Sequence, residues 1–248
     1  MYPYIHFILP SYSVLAFIGG FLALLFVYSR IERFNVDFGD FLKLFAMCVG
    51  GGFVGSRVLF IVTQIPWLFQ NFSLVNLINL LLGGGYVFYG GLFGVLLTIL
   101  LYAKYAKKYD AECLFSLVAP AIPLFHCFGR IGCFLAGCCF GYELSQPVIV
   151  NGLSFTRFPT QIIEAAFEAL LFLTFIVLEK YRKDVPLLKI YLTLYACFRF
   201  IIEFFRGDAI RGFLLGLSTS QWVSALMLLY IAVKVFKANS KLKIKKAS

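Results

Sequence analysis

Charge is what this sequence has least of. Asp, Glu, Lys and Arg together make up 14% of its 248 residues, where soluble globular domains carry roughly a quarter, and that excludes a soluble globular protein. The first residues also lack a basic leader followed by a small-residue cleavage site, so the first apolar run is expected to stay as a retained span. Met1–Pro10 contains no Lys or Arg, and neither does the stretch from Gln64 to Gly85. The cysteines do not repeat a C-x-x-C pair, and this argues against a zinc centre built from His126, Cys127, Cys133, Cys138 and Cys139. No cofactor is called for. No inverted repeat relates the two halves, which counts against a transporter architecture.

What is present is apolar. Hydrophobic residues reach 61% of the chain and the mean hydropathy is +0.90, values that identify an all-α integral membrane protein. The length suffices for about seven spans of about 20 residues joined by short loops, leaving no room for a separate soluble domain. Apolar runs place those spans near 12–28, 41–67, 86–105, 111–128, 161–178, 187–205 and 220–236, in one polytopic domain with a basic tail over 237–248. Pro120 and Pro123 fall inside the fourth run, so a kinked or broken helix is expected there.

The basic residues are distributed by side. Arg30, Arg33 and Lys43, then Lys104, Lys107 and Lys108, then Lys180, Arg182, Lys183 and Lys189, and finally Lys234 with the tail lysines all border alternate loops. The opposite loops hold only Arg130, Arg157, Arg206 and Arg211. The positive-inside rule then predicts an outer N-terminus and a cytoplasmic C-terminus. The net charge of +10 follows from that topology, so no nucleic-acid partner is expected. Phe and Tyr fit lipid-facing and interfacial packing rather than base stacking.

Against that background the stretch Gly129–Gly141, GRIGCFLAGCCFG, stands out, since it sets Arg130 where the fourth span should be ending. An arginine at membrane depth costs about 3 kcal/mol or more unless it faces a wet cavity or meets an anion, and the glycines let backbone approach something closely. Arg130 therefore reads as an anion-binding residue. Arg57 and Arg199 lie inside apolar runs as well. In the sixth run Tyr195, Arg199, Glu203 and Arg206 recur at helical steps and share one face, and Gln161, Glu164 and Glu168 do so in the fifth. Glu164 and Glu168 read equally as internal ion pairs holding helices together. Guanidinium forks match phosphate oxygens, and phosphate esters at that depth are phospholipid head groups. Tyr12, Tyr89 and Tyr195 could orient a lipid or relay a proton, or serve as interfacial anchors. On the outer side Cys133, Cys138 and Cys139 would meet an oxidising space where a disulfide can form.

Taken together and in order, these motifs resemble those of the prolipoprotein diacylglyceryl transferase family. GRIGCFLAGCCFG is similar to its Gly-Arg-x-Gly-Asn-Phe signature, RFPTQIIE (Arg157–Glu164) to its Pro-Ser-Gln-x-x-Glu segment, and YACFRFIIEFFRGD (Tyr195–Asp208) to its Tyr-x-x-x-Arg and Glu-Phe-Phe-Arg block. VGSRVLF around Arg57, VFYGGLFG around Tyr89, and Tyr12 fall in the family's order too. The resemblance implies a seven-helix enzyme of the bacterial cytoplasmic membrane with its site toward the outer leaflet. Its partners would be the lipid bilayer, phosphatidylglycerol, and a prolipoprotein whose lipobox cysteine receives the diacylglyceryl group as a thioether, with release of glycerol-1-phosphate. Carried over by position, Arg130, Arg199, Tyr195, Tyr89 and Glu203 would be catalytic. Tyr12, Arg57, Gly129, Gly132, Cys133, Gly141, Gln161, Glu164 and Arg206 would bind substrate.

Two positions depart from the family's pattern: Cys133 stands where Asn is usual, and Tyr89 where His precedes Gly-Gly. With an ordinary pKa near 10, a tyrosine is a poorer base than an imidazole at neutral pH. The acceptor half of the site is the part this touches, so a relative serving another acceptor, and a lipid or anion transporter, stay open at this point.

Overall fold

The computed structural model describes residues 4–5, 9–83, 85–150, 153–182, 185–207 and 213–247. Lys183, Arg211 and the side chains of Lys241, Lys243, Lys245 and Lys246 lie outside them. The chain is built from helices α1 (Ser11–Tyr28), α2 (Phe38–Gln70), α3 (Leu74–Leu82), α4 (Phe88–Ala106), α5 (Ala111–Val118), α6 (Ala121–Ala136), α7 (Thr160–Tyr181), α8 (Leu187–Ile202) and α9 (Thr219–Ala247). Among the described residues three short antiparallel hairpins punctuate them: β1 (Tyr4–Ile5) with β2 (Leu9–Pro10), β3 (Glu143–Val150) with β4 (Leu153–Arg157), and β5 (Phe213–Leu214) with β6 (Leu217–Ser218).

Among the described residues five helices, α1, α2, α4, α7 and the Thr219–Lys237 part of α9, are long and apolar enough to cross a membrane. The α5–α6 pair, bent by 40°, makes a sixth if taken as one span. The break falls at Ala119–Pro120, where proline cannot donate to the preceding turn. At 16 residues α8 is short for a span, because it gives way after Ile202 to a 3-10 turn over Glu203–Phe205. The polar stripe expected on one continuous helix thus reaches Arg206 through that turn, and Arg206 itself has extended backbone. The signature also departs from expectation: α6 continues through Arg130 to Ala136 instead of running out near Phe128.

The usual distribution of polarity is turned inside out. Phe17, Phe53 and Leu229 are among many large apolar side chains left on the outside, as lipid-facing surface requires. His126, Arg130, Gln161, Glu164, Glu168, Arg199 and Glu203 are buried. Helices α2 and α4 meet through facing small residues: a Cβ on Gly55 would come 2.4 Å from the Gly90 carbonyl oxygen, and one on Gly94 would come 2.1 Å from that of Gly51. With the hydrophobic effect absent between spans in lipid, such close backbone contact is what joins them. Helix α6 packs between α1 and α7, which puts the signature at the centre of the bundle.

Candidate active site

Helix α6 presents His126, Arg130 and Cys133 at steps of four and three, hence on one face, and all three are buried. Arg130 Nε donates to His126 Nε2 at 3.1 Å, and His126 Nδ1 lies 2.8 Å from Glu168 Oε1. Because Nε2 accepts from the arginine, the ring proton belongs on Nδ1 and is donated to Glu168, which makes the imidazole neutral. The ring is fixed from its faces too. It stacks on Phe88 at 3.6 Å and 7°, and Tyr195 meets it edge-on at 5.3 Å. Glu168 on α7, His126 and Arg130 form one hydrogen-bonded chain that sets the guanidinium's orientation.

Helix α7 answers with Gln161, Glu164 and Glu168, each buried. Glu164 is the hub of the site. Its Oε2 lies 2.8 Å from Arg130 Nη2, while Oε1 is 3.4 Å from Arg199 Nη1 and 3.2 Å from Arg206 Nη1. Arg199 also reaches Glu203 Oε2 at 2.6 Å, an i,i+4 pair, and Ser220 Oγ at 3.3 Å. Three guanidiniums from α6, α8 and the turn after α8 therefore converge on one carboxylate, and convergence of cations favours binding of a further anion.

Around this cluster Tyr195 is fully buried and its hydroxyl has no hydrogen-bond partner among the described residues. A buried hydroxyl left unmatched costs roughly 1–3 kcal/mol, so it is available to a ligand oxygen. Tyr89 packs edge-on against Tyr195 at 5.4 Å and shares a 2.6 Å hydrogen bond with Ser224 of α9. Tyr12 lies against the signature, since a Cβ on Gly132 would meet its Cα at 3.2 Å. Gly141 sits where three segments cross: its added Cβ would come 2.5 Å from the Phe158 carbonyl oxygen and 2.7 Å from that of Phe205. A Cβ added to Gly129 would meet none of the described residues within 4 Å. Arg57 is placed elsewhere. It donates to the carbonyls of Leu80 (2.6 Å), Leu81 (3.1 Å) and Gly85 (3.1 Å) around the end of α3. Arg157 pairs with Glu143 across the β3–β4 hairpin at 2.5 Å.

The end of α6 arranges the cysteines. Gly137 takes a left-handed conformation at φ 71°, Cys138 N–H reaches back to the Cys133 carbonyl (3.1 Å), and Gly137 N–H reaches that of Phe134 (3.2 Å). This is a Schellman ending, and it stacks Cys138 over Cys133. Cys139 follows at φ 59°, unusual for a residue with a Cβ. The carbonyls of Cys138 and Cys139 are held by Gln161 Nε2 (2.7 Å) and Thr160 Oγ1 (2.9 Å). As a result the three Sγ atoms of Cys133, Cys138 and Cys139 lie within 4.8 Å of one another, all as free thiols. Hydrogen bonds from Cys133 and Cys138 push the Cys139 thiol well below its ordinary value, with Arg130 and Arg206 acting in the same direction.

The structure thus gathers Arg130, Arg199, Glu203, Arg206, Glu164, Tyr195 and Tyr89, with Gln161, Cys133, Gly132 and Tyr12 at the margin. Sequence reading gave His126 no part beyond a rejected metal role, and it left the Glu168–His126 link unseen. The available signal was that His126 lies one helical turn before Arg130.

The family model for prolipoprotein diacylglyceryl transferase matches residues 4–237. The chain is similar to the phosphatidylglycerol–prolipoprotein diacylglyceryl transferase of Clostridium tetani, 32% identical over 240 residues that cover 92% of each protein. It is also similar to the second such enzyme of Clostridium perfringens, at 33% identity over 88% of this chain and 87% of the relative. A counterpart in Dehalococcoides mccartyi is 27% identical over 91% of this chain and 87% of its own.

Proposed function

The chain belongs to the prolipoprotein diacylglyceryl transferase family, and from that premise we propose that it moves the sn-1,2-diacylglyceryl group of phosphatidylglycerol onto the lipobox cysteine of lipoprotein precursors. The sulfur–carbon bond forms as the bond from the glyceryl carbon to the phosphate oxygen breaks. Glycerol-1-phosphate leaves with the electron pair, and the thiol proton is lost from the acceptor.

The observation that carries this reading is the set of three guanidiniums gathered on Glu164. Their forks suit the two free oxygens of a phosphodiester, and the charge that develops on the leaving phosphate meets cations already in place. Arg130 and Arg199 hold the phosphate in this reading, Arg206 and Glu203 complete its cradle, and the unmatched Tyr195 hydroxyl donates to a lipid oxygen. Tyr12, Gln161, Gly129, Gly132 and Gly141 shape the walls. Cys133, at the position next to the glycerol, faces the acceptor side.

The site belongs at the outer leaflet of the bacterial cytoplasmic membrane, the side opposite to the loops rich in Lys and Arg. With α8 and the 3-10 turn counted as one crossing, the helices make about seven spans, with the N-terminus outside and the C-terminus inside. The test is incubation of the purified protein with phosphatidylglycerol vesicles and a synthetic lipobox peptide. A diacylglyceryl mass on the peptide, matched by free glycerol-1-phosphate, is expected. Lipid turnover with an unmodified peptide would overturn the acceptor, and no turnover would overturn the donor.

A further inference from the structure

The sulfur cluster is the part of the molecule that the phosphate site does not use. Three thiols from a single stretch converge at the end of α6, and two features hold them there: the Schellman turn at Gly137, and the clamps from Thr160 and Gln161 of α7. The cluster is graded in access. Cys133 is buried, Cys139 is half-buried and Cys138 is exposed, so an incoming group can reach it from one side.

We propose that Cys133, Cys138 and Cys139 bind one thiophilic divalent cation, with zinc as the fitting ion, and that its fourth position receives the thiol of the acceptor cysteine. Zinc–sulfur bonds of about 2.3 Å spread tetrahedral ligand sulfurs about 3.8 Å apart, and the present separations, at most 4.8 Å, close to that with shifts of about 1 Å. Structural zinc sites fill all four positions with protein ligands, whereas sites that act on a substrate leave one open. Three protein sulfurs and no fourth candidate among the described residues match the second kind.

Charge argues the same way. Three thiolates around a divalent cation carry a net negative charge, and Arg130 and Arg206 bear on this cluster from the phosphate site. Cys133 follows Arg130 by three residues on one helix face, so a thiol bound at the cluster stands beside the lipid phosphate.

The inference deepens the transferase reading and rests on it for the role of the fourth position. It also answers the question raised by Tyr89. A thiol bound to such a cation gives up its proton outright and stays nucleophilic near neutral pH without a histidine base. The proton leaves to solvent on binding, the sulfur attacks the glyceryl carbon, and the glycerol phosphate departs with the electron pair of the broken bond. No oxidant or reductant is needed.

The test loads the reduced, detergent-purified protein with zinc, desalts it, and measures metal per chain by mass spectrometry, with a cobalt-substituted sample for its thiolate charge-transfer band. One zinc per chain is expected, weakened at least roughly 10–100-fold in Cys138→Ser and in Cys139→Ser, and unchanged in Cys197→Ser. Adding the lipobox peptide should shift the cobalt band, and the same peptide with Cys replaced by Ser should not. No retained zinc in protein with titratable thiols, or equal retention in both serine variants, overturns the site. A disulfide among the three cysteines in protein taken from membranes overturns it as well. Zinc binding with no peptide-dependent band shift overturns the acceptor role. If zinc binds and the band shifts while no diacylglyceryl transfer occurs, it is the transferase reading that fails.

Discussion

Glu164 of α7 holds Arg130 of α6 at 2.8 Å through its Oε2 and leaves Oε1 to Arg199 and Arg206. One carboxylate thus fixes the spacing of three cations that would otherwise repel one another across buried space. Glu164→Gln removes the charge and keeps the shape. Removing one partner of a buried pair costs about 3–5 kcal/mol, so the variant should unfold at a clearly lower temperature in detergent. Its affinity for phosphatidylglycerol should fall less than its stability, because the freed arginines still meet the lipid phosphate. An unchanged unfolding temperature would dismiss Glu164 as the hub.

Arg199 bridges Glu164, Glu203 and Ser220, a three-way contact that requires a planar fork. Lysine keeps the charge but offers a point donor. Arg199→Lys should therefore lower kcat by about 10²–10³-fold, the usual cost of losing one donor to developing negative charge, while KM for the lipid changes little. The comparison is of steady-state rates at saturating lipid, and near wild-type turnover would mean that charge alone suffices there.

Much of this site could be read from the chain, and the limits have physical causes. Arg130, Arg199 and Glu203 were visible because charge inside an apolar run is costly, so each announces itself. The Arg199–Glu203 pair was legible from their shared face, but partners on other helices were not. Glu164 contacts arginines from three different segments, and periodicity reports neighbours on one helix only. The spacing of Cys133, Cys138 and Cys139 matches no repeated pair, yet the turn at Gly137 folds them together, something visible only once the helix is seen to end there rather than near Phe128. Arg57 also stood out by its place in an apolar run, and the contacts it makes with the carbonyls of Leu80, Leu81 and Gly85 lie far from it in sequence, where periodicity cannot report them.

His126 acts on Arg130 from behind, with its own Nδ1 held by Glu168. His126→Gln keeps an acceptor near Arg130 Nε but loses the rigid ring stacked on Phe88. Loss of one buried hydrogen-bonding partner is worth about 1–3 kcal/mol, so kcat/KM should fall roughly 5–150-fold with the fall concentrated in kcat. A ring variant with one nitrogen, introduced as a histidine analogue, should recover part of it. Equal losses in kcat/KM and in thermal stability, with no recovery by the analogue, would mark His126 as packing only.

On the side bearing the Lys and Arg-rich loops, Arg30 makes a two-point pair with Glu179 of α7, one contact at 2.7 Å, and also donates to the Ser116 carbonyl at 2.8 Å. Both side chains are nearly buried, so this contact ties the α1–α2 loop to α5 and α7. Glu179→Ala should cost about 3–5 kcal/mol by leaving Arg30 unpaired. The effect should appear in unfolding in detergent, with turnover per folded molecule unchanged. Arg30→Met with Glu179→Leu should recover most of the loss, since exchanging a buried pair for apolar side chains is often neutral.

The order of ionisation within the sulfur cluster provides a probe that needs no substrate. In metal-free protein Cys139 is held below its ordinary value by hydrogen bonds from its two neighbours, while for Cys138 a lowering hydrogen bond with Cys133 is outweighed by hydrogen bonding with Cys139 and by burial, which raise it. A thiol whose pKa is lowered is deprotonated down to more acidic pH, so iodoacetamide should modify Cys139 at a rate that stays nearly flat between about pH 6 and pH 8. An ordinary thiol would lose about tenfold per unit over that range, following its pKa of about 8.5. Cys138, although more exposed, should be the slower of the two at neutral pH, because the thiolate and not the thiol is the nucleophile. Peptide mapping of the labelled protein assigns the sites. Zinc added beforehand should protect both cysteines together, since a single ion occupies both sulfurs, whereas protection of Cys139 alone would mean that the ion engages fewer than three ligands.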